Sequence, residues 1–190
     1  MIAAVAGTPL LVLTVGHSTR QLEAFVELLR AHGVTCLVDV RTIPRSRHNP
    51  QFNRETLSDA LASAAIQYRH MPGLGGLRHP CRNSPNLAWR NASFRGFADY
   101  MQTPDFADHL DTLMELAHTE RIALMCAEIL HWRCHRSLIA DALLVRGVRV
   151  EHIRHQAGRQ IHTLTPWARV EGMQVTYPSP TAEGLGGSST

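Results

Sequence analysis

Residues 10–19 read LLVLTVGHST, and the fold follows from how that stretch is taken. The apolar run Leu10 to Val15 ends in Gly-His-Ser and reads as a first strand. Leu22, Phe25, Val26 and Leu29 then recur at helical spacing. Gly33 stops that helix, and VTCLVDV, residues 34–40, reads as a second strand. The same alternation continues outward. Asn53 is placed to cap a helix carrying Leu57, Leu61 and Ala64, and Ile66 to His70 reads as a weaker third strand. Phe94 to Met101 predicts a short helix. Thr103-Pro104 starts another, which buries Phe106, Leu110, Leu113, Met114 and Ala117. Ile122 to Met125 is a strand, Leu138, Ile139, Ala142 and Leu143 mark a helix closed by Gly147, and Val148 to Ile153 is the last clear strand. Strands alternating with amphipathic helices predict an α/β fold, a single Rossmann-like domain whose mainly parallel sheet is flanked by helices. We expect that domain over 1–155, a C-terminal extension packing on it over 156–178, and a flexible tail over 179–190.

In a parallel sheet, ligands bind beyond the carboxyl ends of the strands. Here those ends read Gly16-His17-Ser18-Thr19, Asp39-Val40-Arg41, His70-Met71-Pro72 and Cys126-Ala127-Glu128. Polar, reactive residues follow each strand, so one edge of the sheet is expected to hold a convergent site. Ser18 or Thr19 is expected to cap the helix that begins near Arg20 and can also present backbone N–H groups to an anion. His17 serves no neutral turn and is a candidate catalytic group. Asp39 closes an apolar run, so its carboxylate needs a partner. It reads either as a salt bridge to Arg41 or Arg136, or as a base or electrostatic stabiliser.

The chain carries 19 basic residues, every one an arginine, against 16 acidic ones, for a net charge of +3. With no lysine there is no Schiff-base lysine and no Walker-type phosphate lysine. Every cation is a planar fork suited to carboxylate or phosphate. The charge alone is too small to require nucleic acid. Arg45 and Arg47 lie in the loop after the second strand and can rim the same edge. The segment LRHPCRNSPNLAWRNASFRGF, 77–97, interleaves arginines with Trp89 and Phe94, the ingredients of a surface for single-stranded nucleic acid or a flipped base. Asn83, Asn86 and Asn91 are placed to read base edges.

The stretch CAEILHWRCHR, 126–136, concentrates thiols, imidazoles, guanidinia and a carboxylate. Cys126 and Cys134 are too far apart for a zinc ribbon or a redox C-x-x-C, and the residue a cysteine phosphatase would need as arginine is Trp132. A metal set of Cys126, Cys134 and His135 and a thiol nucleophile both stay open. The preferred reading gives the chemistry to Glu128, with Cys126 as strand-end filling. Arg136 is then free to pair with Glu128, with Asp39 or with a bound phosphate. The four cysteines show no secreted spacing, and the apolar start lacks a basic n-region and the length of a span. A cytoplasmic protein with reduced thiols, no membrane and no cofactor is expected.

Taken together, TVGHST at 14–19, DVR at 39–41, the arginine-rich loop leading to Phe52, LGG at 74–76, FADYM at 97–101 and LMCAE…RCHRSLIAD at 124–141 resemble the bacterial domain-of-unknown-function family numbered 488. The resemblance runs over about residues 10–155. It implies an α/β fold and a shared site containing Cys126, Glu128, Cys134, His135 and Arg136, and it brings no established reaction. The 77–93 loop and the chain after 155 depart from the pattern.

The expectation drawn from all of this is an enzyme acting on nucleic acid, single-stranded or presenting a flipped base, or on a nucleotide. In its concrete form it is an N-glycosidic hydrolase of DNA-repair type. Glu128, Asp39 and His17 would be catalytic. Ser18, Arg41, Arg45, Arg47, Trp89, Phe94, His135 and Arg136 would bind the substrate. The alternatives are a metal or thiol enzyme built on Cys126, Cys134 and His135, and a nucleic-acid-binding module without catalysis.

Overall fold

The computed structural model describes residues 9–179, so most of the expected tail lies outside the described residues. The elements in order are β1 Leu11–Gly16, α1 Leu22–Ala31, β2 Cys36–Asp39, α2 Arg54–Ser63, β3 Gln67–His70, α3 Ala92–Tyr100, α4 Pro104–Thr119, β4 Ile122–Cys126, α5 Arg136–Leu144, β5 Arg149–His155, β6 Gly158–Ile161, β7 Arg169–Glu171 and β8 Gln174–Thr176. Six strands form one sheet in the order β3-β2-β4-β1-β5-β6. The first five are mutually parallel, and only β6 runs antiparallel, against β5. The fold is the expected single α/β Rossmann-like domain, and among the described residues no helix is long and apolar enough to cross a membrane.

Strand alternation sorts the core into two layers. Leu13, Val15, Leu37, Ala123, Met125 and Ile153 meet α1 and α2 through Phe25, Leu29, Leu57 and Leu61. Val12, Val38, Leu124 and Val150 face the opposite way, onto Phe97 of α3, Phe106 and Leu110 of α4, and Leu138 and Ile139 of α5. Each of the larger side chains among these contributes about 1.5–3 kcal/mol on burial. Helices on both faces leave the strand ends as the open edge.

Helix starts follow local chemistry, with two departures. Thr103 Oγ1 accepts from Phe106 N at 3.3 Å, as the Thr-Pro pair predicts. Asn53 does stand at the N-cap of α2 but makes no capping bond there, because its Oδ1 accepts instead from Ser46 N at 2.8 Å. The first helix starts later than expected. Its N-cap is Gln21, so neither Ser18 nor Thr19 caps it, and Ser18 takes the left-handed conformation at φ 50°.

Beyond β5 the chain turns back through Gln156 and Ala157, and β6 pairs alongside from Gly158, where any Cβ would overlap the His155 ring. The β7–β8 hairpin follows and delivers Val175 and Tyr177 into the core against the helices of the second layer. No strand signal marks this stretch, because β6 and β7 are short and almost wholly exposed.

Candidate active site

Three adjacent parallel strands, β2, β4 and β1, end together at the open edge. Gly16 faces Cys126 in register, and the pairing runs past both ends through His17 N to Cys126 O at 3.0 Å and Ser18 N to Ala127 O at 2.9 Å. On the other side of β4, Val40 N donates to Met125 O at 3.1 Å. Gly16 is required by close approach, since a Cβ there would overlap the Glu128 carbonyl and the Ile129 backbone. Gly76 is required in the same way by the His135 ring. Between them opens a cavity of about 400 Å³, lined among others by His17, Arg41, Arg45, Phe94, Cys126, Glu128, Cys134 and His135. That volume is of small-molecule size.

The floor is a pair of thiols. Cys134 Sγ accepts from Arg136 Nε at 3.3 Å and lies 3.6 Å from His135 Nδ1. The hydrogen bond from Cys126 pushes the Cys134 thiol well below the usual thiol range, against the effect of burial. Arg136 and His135 push the same way. The complementary effect raises Cys126, through its bond to Cys134 and then its own burial. One proton between two sulfurs, with a guanidinium alongside, leaves the charge on Cys134. His135 is oriented for this. Its Nε2 lies 3.2 Å from the Val40 carbonyl, which can only accept, so Nε2 carries a hydrogen and Nδ1 faces the sulfur, placed to take the Cys134 proton and hold it against the thiolate. Nucleophile, base and orienting carbonyl stand in line.

His17 is almost wholly buried and stacks on Phe52 with ring centroids 4.1 Å apart. Its Nδ1 donates to Ser18 O at 2.8 Å, leaving the Nε2 lone pair 3.4 Å from Arg41 Nη1. Burial, reinforced by the Arg41 charge, lowers its pKa to about 4, so the ring is neutral at physiological pH. Asp39 is fully committed. It takes Arg41 Nε at 2.9 and 3.1 Å, Arg41 Nη2 at 2.6 Å and Tyr68 OH at 2.7 Å, and it does not line the cavity. Of the two sequence readings for this carboxylate, the geometry takes the salt bridge, which fixes Arg41.

Glu128 does line the cavity, with Oε1 held by Leu130 N at 3.0 Å. Arg136 pairs with neither carboxylate. It is fully buried beneath the thiols and donates Nη2 to the Glu128 backbone carbonyl, so it supports Cys134 and does not meet a ligand. Ser18 and Arg47 fall outside the cavity wall. Trp89 also falls outside it, packed against Phe94, Trp167 and Tyr177 at 4.8–5.4 Å. The 77–93 loop is pinned in place: Asn86 is fully buried between Asp99 and Tyr177, and Asn91 caps α3, so neither is placed to read a base. Arg133, Thr42 and Ser46 also line the cavity and went unremarked in the sequence. Arg133 sits inside the quoted 126–136 stretch, and its position just before the second thiol was the available signal.

Cys126, Cys134 and His135 offer donor atoms within 4.8 Å of one another, so the set grouped from sequence is brought together in space. The guanidinium of Arg136 on Cys134 opposes a cation at that spot. A family model described as Domain of unknown function DUF488 matches residues 21–143, a shorter span than the resemblance suggested. No curated protein and no solved structure matches the chain.

Proposed function

We propose that this chain, which belongs to the family Domain of unknown function DUF488, is a hydrolase with Cys134 as nucleophile, acting on a nucleotide-like substrate. The observation that carries this reading is the line Val40 carbonyl, His135, Cys134 Sγ at the wall of the cavity, with Cys126 and Arg136 on the same sulfur. Arg41, Arg45 and Arg133 on the lining suit phosphate, and Phe94 supplies an apolar face for a base.

Cys134 reacts as the thiolate, with its proton held on His135 Nδ1. The sulfur then forms a bond to the electrophilic atom of the substrate while the leaving group departs with that proton. Water displaces the sulfur in the second half. It gives its proton to His135 Nδ1, the thiolate is restored, and the sum is hydrolysis. The neutral Nε2 of His17 accepts from Arg41 Nη1 and helps hold that guanidinium at the cavity wall.

One observation favours a second reading, the carboxylate-dependent N-glycosidic hydrolase. Glu128 stands on the same cavity wall with one oxygen held by Leu130 N. The decisive experiment screens nucleotides and single-stranded, damaged and duplex DNA with wild type, Cys134→Ser and Glu128→Gln. The thiol reading expects loss of turnover in Cys134→Ser and a substrate-derived mass adduct on Cys134 in wild type. Turnover surviving in Cys134→Ser and lost in Glu128→Gln assigns the carboxylate instead. Salt-dependent binding without turnover in any of the three would make the protein a binding module.

A further inference from the structure

A second polar centre lies away from the cavity, inside the core. Val150 and His152 share one face of β5, in line with Val148 just before it, so an imidazole enters the layer where an aliphatic side chain ordinarily packs. His131, His152 and His162 are 8%, 2% and 7% exposed, and one ring nitrogen from each lies within 4.8 Å of the other two.

The remaining nitrogens of His162 and His152 are anchored. His162 Nε2 is 2.9 Å from Asp141 Oδ1, and a carboxylate only accepts, so Nε2 carries the hydrogen and Nδ1 the lone pair. That lone pair faces His152 Nε2 at 3.0 Å, while His152 Nδ1 lies 2.7 Å from Thr14 Oγ1. Asp141 is held in turn by Tyr177 OH at 2.8 Å and Thr165 N at 3.0 Å. His131 stacks on His152 with centroids 3.5 Å apart, and its buried Nδ1 has no partner. An orphaned buried nitrogen of this kind costs about 1–3 kcal/mol.

We propose that His131, His152 and His162 form a binding site for a divalent transition metal of the zinc class. The donor set is all imidazole, which suits that class. Asp141 on His162 and Thr14 on His152 are the outer partners that fix the tautomer and orientation of ligating rings. There is also an entry path. His131 and His162 line a second cavity of about 250 Å³, walled by Trp89, Trp132 and Trp167, from which an ion and a further ligand can approach. Without an ion, His152 donates from Nε2 to His162 and accepts from Thr14. With an ion, the proton of His152 sits on Nδ1, with Thr14 Oγ1 as acceptor, so no proton is released. The stack of His131 on His152, 11° between planes, has to open for both rings to face one ion.

The test is a Co²⁺ titration of the full chain, followed by visible absorption and equilibrium dialysis. We expect one ion per chain, d–d bands without a thiolate-to-cobalt charge-transfer band, and unchanged binding in the Cys126→Ser/Cys134→Ser double variant. Asp141→Asn weakens affinity about 10–100-fold. His131→Phe keeps the stack, breaks no hydrogen bond and therefore folds, yet binds Co²⁺ at least about 10-fold more weakly. Three results overturn the site: no stoichiometric binding by wild type, His131→Phe binding like wild type, or a charge-transfer band that vanishes with the cysteines. The last would put the ion on the thiols. None of these outcomes depends on what the cavity hydrolyses.

Discussion

The thiol cavity and the histidine cluster hang on one side chain and are built by opposite means. Arg136 gives Nε to Cys134 Sγ at 3.3 Å and Nη1 to Thr14 Oγ1 at 3.5 Å, so a single guanidinium stands between them. The cavity is made at strand ends, where backbone places reactive side chains at an open edge. The cluster is made within the layer, where His152, His162, Asp141 and Tyr177 must satisfy one another. Reactive groups at an edge can keep lone pairs free for a ligand, whereas buried ones keep a lone pair free only by omission. His131 Nδ1 is that omission.

The largest expected effect tests how far the cavity wall is itself core. Asp39→Asn leaves the buried Arg41 guanidinium without its counter-charge, and breaking such a pair costs about 3–5 kcal/mol. Asp141→Asn strands no guanidinium and should cost about 1–3 kcal/mol, the price of disturbed hydrogen bonds. Urea midpoints of the two variants measure the difference. Equal losses would mean that the two carboxylates are embedded alike and that the distinction between edge and core fails.

Acid should separate the two regions next. His17 is neutral in the folded protein, its pKa lowered to about 4 by burial, whereas the unfolded chain binds a proton near 6.5. Its stability contribution is complete above pH 6.5 and is lost as pH falls toward 4, by at most about 3 kcal/mol. His152 is lowered further, to about 2, by burial and then by His131 and His162, so its loss continues below the pH at which that of His17 levels off. Denaturation midpoints of the metal-free protein from pH 7 down to 3 should fall throughout. In His17→Phe the part between 6.5 and 4 shrinks while the lower part persists. A flat wild-type profile would mean that neither ring is held neutral by burial.

The two regions were not equally legible in the sequence. The sheet, its five parallel strands and their helices followed from periodicity, since Leu10–Val15, VTCLVDV and the Thr-Pro start each carry a local signal. The edge site was legible for the same reason: strand ends are local, and His17, Cys126 and Glu128 follow from them, while Cys134 and His135 stood out only as the far end of the 126–136 stretch and through the family resemblance. What stayed hidden depends on side-chain direction. That Asp39 turns to Arg41 and Tyr68, or that Arg136 runs under the thiols to a backbone carbonyl, is decided by packing and has no spacing to betray it. The cluster draws on residues 131, 141, 152, 162 and 177, and two of these lie in the extension whose strands are short and exposed. Its one local trace was a histidine at an inward position of an otherwise aliphatic alternation, Val148-Val150-His152.

Thiol reactivity sharpens the cavity side of the comparison. Removing the Cys126 donor in Cys126→Ala should raise the Cys134 pKa, and each unit slows alkylation below that pKa about tenfold. Iodoacetamide labelling of Cys134, read by mass spectrometry from pH 5 to 9, should shift to higher pH in Cys126→Ala and less in Cys126→Ser, whose hydroxyl still donates. His162→Ala, in the other region, should leave the profile in place. A shift there as large as in Cys126→Ala would mean that Arg136 couples the regions and does not merely stand between them.

The smallest effect on stability decides the role of Glu128. Its carboxylate is half-buried, takes one backbone N–H from Leu130 and pairs with no arginine, so Glu128→Gln keeps an acceptor in place and should stay within about 0.5 kcal/mol of wild type in urea. That neutrality makes it informative about chemistry, because any change in turnover then comes from lost charge and not from a damaged wall. If Cys134 is the nucleophile, Glu128→Gln changes KM more than kcat, since the carboxylate only shapes the field that a phosphate-bearing substrate meets beside Arg41 and Arg45. If kcat falls by orders of magnitude while the Cys134 labelling profile is unmoved, the carboxylate acts on the reacting bond and the thiols line its cavity. The two regions would then resemble each other more closely than their geometry suggests, each a polar centre supporting a single working group.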